Sequence, residues 1–195
     1  WFRKAADKGN VAAMELIIAY YSKAWERLTK LKQQSGKYDA NPDDAAAMNK
    51  IAKYYEKGWG GLKQDETAAL EWYRKAADIG HTDAMNKIAE YYEQGKGGLK
   101  ADEAAALEWY HKLADEGYTV AMNKIAEYYR QGRGGLKEDT AAALEWYRKS
   151  ADEGNAAAAE MVKELETHTA TDKSTAIGNR KKASIYFKKI FRFDR

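Results

Sequence analysis

The chain has 195 residues, of which 45% are hydrophobic and 32% are charged, a balance typical of a globular domain or a short repeat array. No apolar run reaches the ~18 residues that a membrane-spanning helix needs. Cysteine is absent, which excludes disulfides, thiolate metal ligands and a cysteine nucleophile. The net charge is +3, but the segment from Thr171 onward is strongly basic, so the remainder of the chain is weakly acidic.

The sequence opens with Trp1-Phe2-Arg3-Lys4, a stretch that matches the middle of a helix recurring later in the chain. We therefore expect the native protein to begin upstream, and the sequence carries no information about a signal peptide. Val11 to Lys23 has the pattern of a helix, which continues without a glycine turn to about Gln34. Ser35 to Asp44, with the only proline, is predicted to be a loop. An irregular repeat therefore occupies residues 24–44.

Near-identical units of 37 residues follow this irregular region. The sequence Ala47-Met48-Asn49-Lys50-Ile51-Ala52 recurs from Ala84 and again from Ala121, at a constant spacing of 37 residues. Residues 58–94 and 95–131 are identical at 28 of 37 positions. A fixed period of this length is the signature of a repeat architecture.

Each unit contains two amphipathic helical patterns. In one unit Ala84, Ile88, Ala89 and Tyr92 share a helix face, and Gly95 follows as a residue suited to a left-handed C-cap. These first helices alternate with second helices, and the two form an antiparallel hairpin that must stack on its neighbours to bury its apolar face.

The second helix of the same unit is predicted to begin at the N-cap Asp102 and to end at Gly117. Its apolar face is formed by Ala106, Tyr110, Leu113 and Ala114. We predict that Tyr92 and Tyr110 are core residues that fill the space between hairpins. If they were exposed along one groove, they would instead offer an aromatic stacking platform.

Together these patterns resemble the Sel-one-like repeat (SLR), a relative of the tetratricopeptide repeat. The resemblance rests on Ala-x-x-x-hydrophobic-small-x-x-Tyr-x-x-Gly-x-Gly, followed by Asp and then Ala-Leu-Glu-Trp-Tyr-Arg-Lys-Ala-Ala-Asp-x-Gly, and it covers roughly Trp1 to Gly154. It implies an all-α, right-handed α-solenoid of stacked helical hairpins with a concave partner-binding face. Two features depart from the family: the glycine turn is one residue longer than in its commonest form, and its usual first-helix glycine is replaced by Ala52, Ala89 and Ala126.

The solenoid is predicted to occupy residues 1–166 and to end in a capping helix over 156–166. Residues 167–195 form a polar linker followed by a basic-aromatic segment. We predict that Lys181 to Phe193 is helical and folds back onto the end of the solenoid, because a repeat array leaves an apolar face at its last unit. The consecutive apolar residues of this segment are also compatible with a strand.

No pattern of catalytic or metal-binding residues is present. The three histidines, His81, His111 and His168, have no metal-ligand spacing, and the glycine turn lacks the spacing of a phosphate loop. Acidic pairs such as Asp102-Glu103 open helices, where carboxylates interact favourably with the helix dipole. The sequence therefore predicts a protein that is not an enzyme and that uses no cofactor, metal or small-molecule substrate.

The face of the first helices that points away from the core is the predicted partner-binding stripe. Its members repeat at i, i+3, i+7 and i+10 in each unit. The three asparagines form a ladder that either binds a partner's backbone or was copied with the repeat. The predicted binding residues are Asn49, Lys53, Glu56, Asp83, Asn86, Glu90, Glu93, Asn123, Glu127 and Arg130.

These features predict a non-catalytic protein-protein interaction module of a bacterium, in the periplasm or the cytoplasm. One specific role within this class is that of an immunity protein that neutralises a secreted toxin or effector. The alternative is a binder of anionic membranes or nucleic acid through the basic tail, in which nucleic acid is the less favoured partner.

Overall fold

The computed structural model of the protein describes residues 8, 10–35, 42–168 and 180–182. Within these ranges the chain is helical with short connecting turns and contains no strand. The helices are α1 (Val11–Ser35), α2 (Pro42–Lys57), α3 (Glu66–Asp78), α4 (Thr82–Gln94), α5 (Glu103–Asp115), α6 (Thr119–Gln131), α7 (Thr140–Asp152) and α8 (156–168). α2–α3, α4–α5 and α6–α7 are hairpins, and each packs against the next. The predicted all-α stack of helical hairpins is confirmed.

The helix ends follow the predicted capping residues. Asp102 is the N-cap of α5, and its side chain accepts a hydrogen bond from the backbone N–H of Ala105 at 3.0 Å. Asp65 and Asp139 cap α3 and α7 in the same way. Gly95 ends α4 in the left-handed conformation, with φ 65° and ψ 39°, which glycine adopts without the steric cost of a Cβ. Sequence and structure therefore agree on where the hairpin turns begin.

α1 is a single helix of 25 residues, as expected from the missing glycine turn. α2 begins at Pro42, so the prediction of a loop over Ser35–Asp44 is wrong at its C-terminal end. Proline suits the first turn of a helix because its φ is already helical and the N–H that it lacks would have no partner there. Asp43 and Asp44 then favour the helix N-terminus electrostatically. Residues 1–7 and 36–41 lie outside the described residues.

The glycine turn of one hairpin lies against the second helix of the preceding hairpin. A Cβ added to Gly97 would lie 2.8 Å from the carbonyl oxygen of Glu66 and 3.1 Å from the Cβ of Leu70. Gly97 also has a φ of 62°, a conformation that favours glycine. This position therefore requires glycine both for its backbone conformation and for the close approach of the two hairpins.

Buried side chains form three clusters along the stack, and half-buried aromatic residues bridge them. Tyr92 and Trp109 pack against both the first and the second cluster. Tyr129 and Trp146 pack against both the second and the third. Aromatic side chains thus fill the space between hairpins, as predicted for Tyr92.

Tyr91, which the sequence pattern did not single out, is buried more deeply than Tyr92. Tyr91 is 2% exposed, whereas Tyr92 is half-buried. The ring of Tyr91 packs edge-on against Tyr73 of the preceding hairpin, with 5.8 Å between the ring centroids. The helix α4 packs against both α3 and α5, so its buried face is wider than the single stripe that the periodicity predicted. Tyr110 is fully buried, as predicted.

The helix predicted over 156–166 is present and continues to residue 168. Ala158 is fully buried, while Met161, Val162 and Leu165 are partly buried against the third cluster. Residues 180–182 are also helical. The remainder of the segment predicted as a helix over Lys181 to Phe193 lies outside the described residues.

The burial of Tyr91 and Tyr92 predicts different costs for their truncation. We expect Tyr91→Ala to lower the free energy of unfolding by roughly 3–5 kcal/mol, the range for a fully buried aromatic residue, and Tyr92→Ala to lower it by less. Urea unfolding followed by circular dichroism measures both. An equal or larger loss for Tyr92→Ala would show that the half-buried tyrosine is the principal packing residue.

Candidate partner-binding face

The first and second helices of the hairpins form two layers. Neighbouring first helices contact each other: Lys53 of α2 pairs with Asp83 of α4 at 3.8 Å. Neighbouring second helices do the same, since the ring of His111 on α5 packs edge-on against Trp146 on α7. The predicted binding residues therefore lie on one layer, formed by α2, α4 and α6.

The ten predicted residues are not equally accessible on this layer. Asp83 and Arg130 are exposed. The half-buried residues are Lys53, Glu56, Asn86, Glu90, Glu93, Asn123 and Glu127. Asn49 is only 5% exposed, so the expectation that it lies on the free face is wrong, although its role in binding is a separate question. Its position close to the buried Met48 places it at the edge of the core, and its Oδ1 has no hydrogen-bond partner.

Glu90 is the centre of a polar cluster on the exposed part of α4. It accepts hydrogen bonds from Nδ2 of Asn86 at 2.9 Å and from Nζ of Lys87 at 2.7 Å. On α6 the equivalent Glu127 pairs with Lys124 at 3.5 Å. Such partly exposed pairs contribute little to stability, so their side chains can rearrange toward a partner at low cost.

Glu93 has a different position, between two hairpins. Its carboxylate accepts hydrogen bonds from the hydroxyl of Tyr110 at 3.1 Å and from the hydroxyl of Tyr128 at 2.7 Å. Tyr110 belongs to its own hairpin and Tyr128 to the next. Its side chain is only 14% exposed, and burial together with the Glu93 carboxylate raises the pKa of both tyrosines above their ordinary value. The contacts of Glu93 therefore connect hairpins.

Glu56 repeats only the contact within its own hairpin one unit earlier, since the hydroxyl of Tyr91 has no hydrogen-bond partner, and Arg130 interrupts the pattern one unit later. The hydroxyl of Tyr73 donates to Glu56 at 3.1 Å, as that of Tyr110 does to Glu93. Arg130 stands at the equivalent position of α6 and is exposed. The predicted stripe is thus divided between side chains that join helices and side chains that face outward.

Two sets of contacts were not anticipated from the sequence. Arg133 pairs with Glu103 of the preceding hairpin at 2.7 Å. Each second helix also places a lysine ammonium over a tryptophan ring, as Lys112 does over Trp109 at 4.3 Å. The recurring Trp-x-x-Lys spacing was the available signal for the second set, because residues three apart are neighbours on a helix. Both sets of contacts give the charged residues a structural role.

The histidines have structural surroundings. Nδ1 of His81 accepts a hydrogen bond from the backbone N–H of Ala84 at 3.4 Å and caps α4. Burial lowers the pKa of His81, and it also lowers the pKa of His111 beside Trp146. The described part of the chain contains no group of three or more His, Cys, Asp or Glu side chains that could hold a metal ion. None of its helices is long and apolar enough to cross a membrane.

Comparison with known proteins shows which family these units belong to. The family model described as Sel1 repeat matches residues 1–10, 45–81, 82–118 and 119–155, more than half of the chain. No curated protein shows significant sequence similarity to the whole chain.

Solved structures that are similar to this one include two bacterial repeat proteins. A Sel1 repeat protein from Oxalobacter formigenes is 33% identical with a TM-score of 0.55, over 64% of this chain and 92% of that protein. The protein c5321, a protective antigen of uropathogenic Escherichia coli with an SLR fold, is 24% identical with a TM-score of 0.57. That match covers 85% of this chain but only 35% of c5321, and it bears on the fold alone.

His81 offers a test of the capping geometry. Asn155 occupies the equivalent position before α8 and accepts from the N–H of Ala158 at 3.1 Å, a shorter bond than that of His81. We expect His81→Asn to stabilise the protein by up to about 1 kcal/mol, because Asn is a preferred N-cap.

The effect of His81→Asn on stability is predicted to depend on pH. Because the pKa of His81 is depressed in the folded state, its contribution to stability is present above the ordinary pKa of 6.5 and is lost as the pH falls through the folded pKa. Thermal unfolding at pH 7.5 and pH 5 should therefore show a smaller acid destabilisation in His81→Asn than in the parent. An identical loss in both proteins would show that protonation of His81 does not affect the cap.

Proposed function

The chain belongs to the Sel1 repeat family, whose repeats generally mediate protein–protein interaction, and we propose that it binds a protein partner through the outward side chains of α2, α4 and α6. Sel1 repeat proteins are typically non-catalytic scaffolds. In keeping with this, we propose that the chain acts by binding and not by catalysis.

The observation that carries this proposal is the set of outward side chains on the first helices, which changes from one unit to the next. On the first helices, the exposed position of Asp83 is Ala46 in the preceding unit and Val120 in the following one. The position of Glu90 is Lys53 in the preceding unit. On the second helices the exposed glutamate is the same in every unit, at Glu71, Glu108 and Glu145, but the exposed Thr67 is replaced by Ala104 and Ala141.

Exposed side chains differ between units in both layers, so the support for the first-helix surface comes from the chemistry of the side chains that it presents. The chemistry of this surface is mixed. Lys53, Asp83 and Glu90 supply charges of both signs, while Val120 is 58% exposed and supplies an apolar contact. Mixed charges around a few apolar contacts are typical of protein-protein interfaces.

Glu93 and Glu56 are best regarded as scaffold within this surface. Their carboxylates are already bound by tyrosine hydroxyls between the helices. Replacing them would weaken binding by disturbing the stack. A test of binding is therefore sharper at Glu90 and Glu127, which pair only with neighbouring side chains of their own helices in the contacts observed.

We expect the double variant Glu90→Lys and Glu127→Lys to weaken capture of the natural partner by at least about tenfold, the effect of losing one or two important interface contacts. The matched control is Glu108→Lys with Glu145→Lys, which makes the same charge change on the exposed face of the second helices. Immobilised parent and variants are compared by quantitative pull-down, with circular dichroism to verify helicity. Loss in the control alone would place the interface on the second helices, and equal loss in both would indicate unspecific attraction.

A second pair of substitutions tests the asparagine ladder. We expect Asn86→Lys with Asn123→Lys to weaken capture and to leave helicity intact, because both side chains are half-buried at the proposed surface. Unchanged capture would favour the interpretation that the asparagines were copied with the repeat.

Neutralisation of a secreted toxin or effector is the specific role that we propose to test first. A toxin gene next to the gene of this chain, together with protection of cells that co-express both proteins, would support an immunity role. Undiminished toxicity in the presence of the chain would contradict that role without contradicting protein binding as such.

A further inference from the structure

An arginine lies between two carboxylates where the hairpin α6–α7 packs on the hairpin α4–α5. The guanidinium of Arg133 pairs with Glu103 at 2.7 Å and lies 3.7 Å from Glu93. Its central carbon is 4.7 Å from the centre of the ring of Tyr128, whose hydroxyl donates to Glu93. The backbone N–H of Gly134 donates to the other oxygen of Glu103 at 3.2 Å. Two carboxylates, an aromatic ring and a glycine turn thus form a complete arginine site within the chain.

The junction one unit earlier, where α4–α5 packs on α2–α3, has the same groups around a lysine. At 37 residues before the two carboxylates, the ring and the arginine, the sequence has Glu56, Glu66, Tyr91 and Lys96. Within the described residues, the ammonium of Lys96 and the carboxylate of Glu66 have no ion-pair or hydrogen-bond partner. The first junction therefore keeps the acidic and aromatic parts of the arginine site without an arginine of its own.

The hydroxyl of Tyr91 is a second, independent sign that the first junction is incomplete. Tyr91 is 2% exposed and its hydroxyl has no hydrogen-bond partner, whereas the hydroxyl of its equivalent Tyr128 is paired. Burial and the negative charges of Glu56 and Glu66 raise the pKa of Tyr91 above its ordinary value. A buried hydroxyl without a partner is unfavourable, and both neighbouring carboxylates favour a positive charge beside it.

We propose that the first junction binds an arginine side chain of the protein partner, in the position that the guanidinium of Arg133 takes at the second junction. The flat guanidinium would pair with Glu66 through two donors and lie over the ring of Tyr91, while Glu56 supplies a second negative charge. A lysine ammonium has neither the fork of donors nor the flat face, which explains why Lys96 makes no such contacts.

The position of this site fits the proposed function, on which the inference rests. Glu56 belongs to the predicted binding stripe, and the nearby Glu90 also adds negative charge at Tyr91. Glu56 and Glu66 are half-buried, so a side chain from outside can reach their carboxylates. A partner bound to α2, α4 and α6 could therefore place an arginine at this end of the first helices.

The first experiment tests the site with small probes and the purified full chain. Arginine amide and lysine amide are titrated separately while the backbone amide signals are followed by NMR. We expect arginine amide to shift the signals of Lys96 and Gly97 saturably, with an affinity at least about fivefold higher than that of lysine amide. The signals of Arg133 and Gly134 should not respond, because that junction already contains a guanidinium.

The variant Lys96→Arg supplies the guanidinium from within the chain. We expect it to raise the melting temperature by about 2–4 °C, the shift for one added charged pair in a protein of this size, and to abolish the response to arginine amide. Lys100→Arg is the matched control, since it makes the same change at an exposed residue near the same turn and should alter neither quantity. No response in the parent, an undiminished response in Lys96→Arg or an unchanged melting temperature would overturn the site.

The second experiment asks whether the natural partner uses this site. We expect Lys96→Arg to weaken capture of the partner at least about fivefold and Lys100→Arg to leave it unchanged, because an internal guanidinium competes with that of the partner. Unchanged capture by Lys96→Arg, together with loss in the Glu90→Lys and Glu127→Lys double variant, would overturn the arginine contact and leave the proposed function standing. Unchanged capture by the double variant would contradict the proposed function instead, and the titration with arginine amide does not depend on that result.

Discussion

Stacking in this protein depends on an approach of backbone to backbone that only glycine permits. At Gly97 a single added carbon would lie 2.8 Å from a carbonyl oxygen of the preceding hairpin. The same approach recurs at Gly134, where the N–H donates to the carboxylate of Glu103 at 3.2 Å. With the turn in this position, the ring of Tyr91 reaches Tyr73 of the preceding hairpin. The close approach at the glycine turn therefore brings the aromatic side chains of neighbouring hairpins into contact.

The close stack explains why one helix face has two different roles. A first helix lies between the second helix of its own hairpin and that of the preceding one, so side chains toward its C-terminal end enter an interface. There a carboxylate such as Glu93 is retained between tyrosine hydroxyls, with the guanidinium of Arg133 at 3.7 Å. Toward solvent, the partly exposed pairs Lys87–Glu90 and Lys124–Glu127 contribute little to stability. The scaffold and the proposed interface thus occupy adjacent positions of the same helix.

Much of this fold follows from local chemistry that a sequence displays directly. The 37-residue period, the cap at Asp102 and the C-cap at Gly95 were all predictable, because each reflects a backbone requirement of a few adjacent residues. The depth of Asn49 and the order of burial of Tyr91 and Tyr92 were not. They depend on how closely neighbouring hairpins approach, which periodicity within one helix does not contain. Glu93 illustrates the limit for the site: its polar side chain marks a surface position in the sequence but is bound by tyrosines from two hairpins.

The interface between the long helix α1 and α2 is the weakest between successive helices of the array. In a linear array, cooperativity passes from unit to unit through each interface in turn. The backbone of α1 comes close to that of α2 at few places, whereas the later helices lie against each other along their lengths. A cooperative unit that includes the hairpins therefore ends at the junction of α1 and α2. Local unfolding is therefore expected to separate α1 from the three hairpins before the hairpins separate from one another.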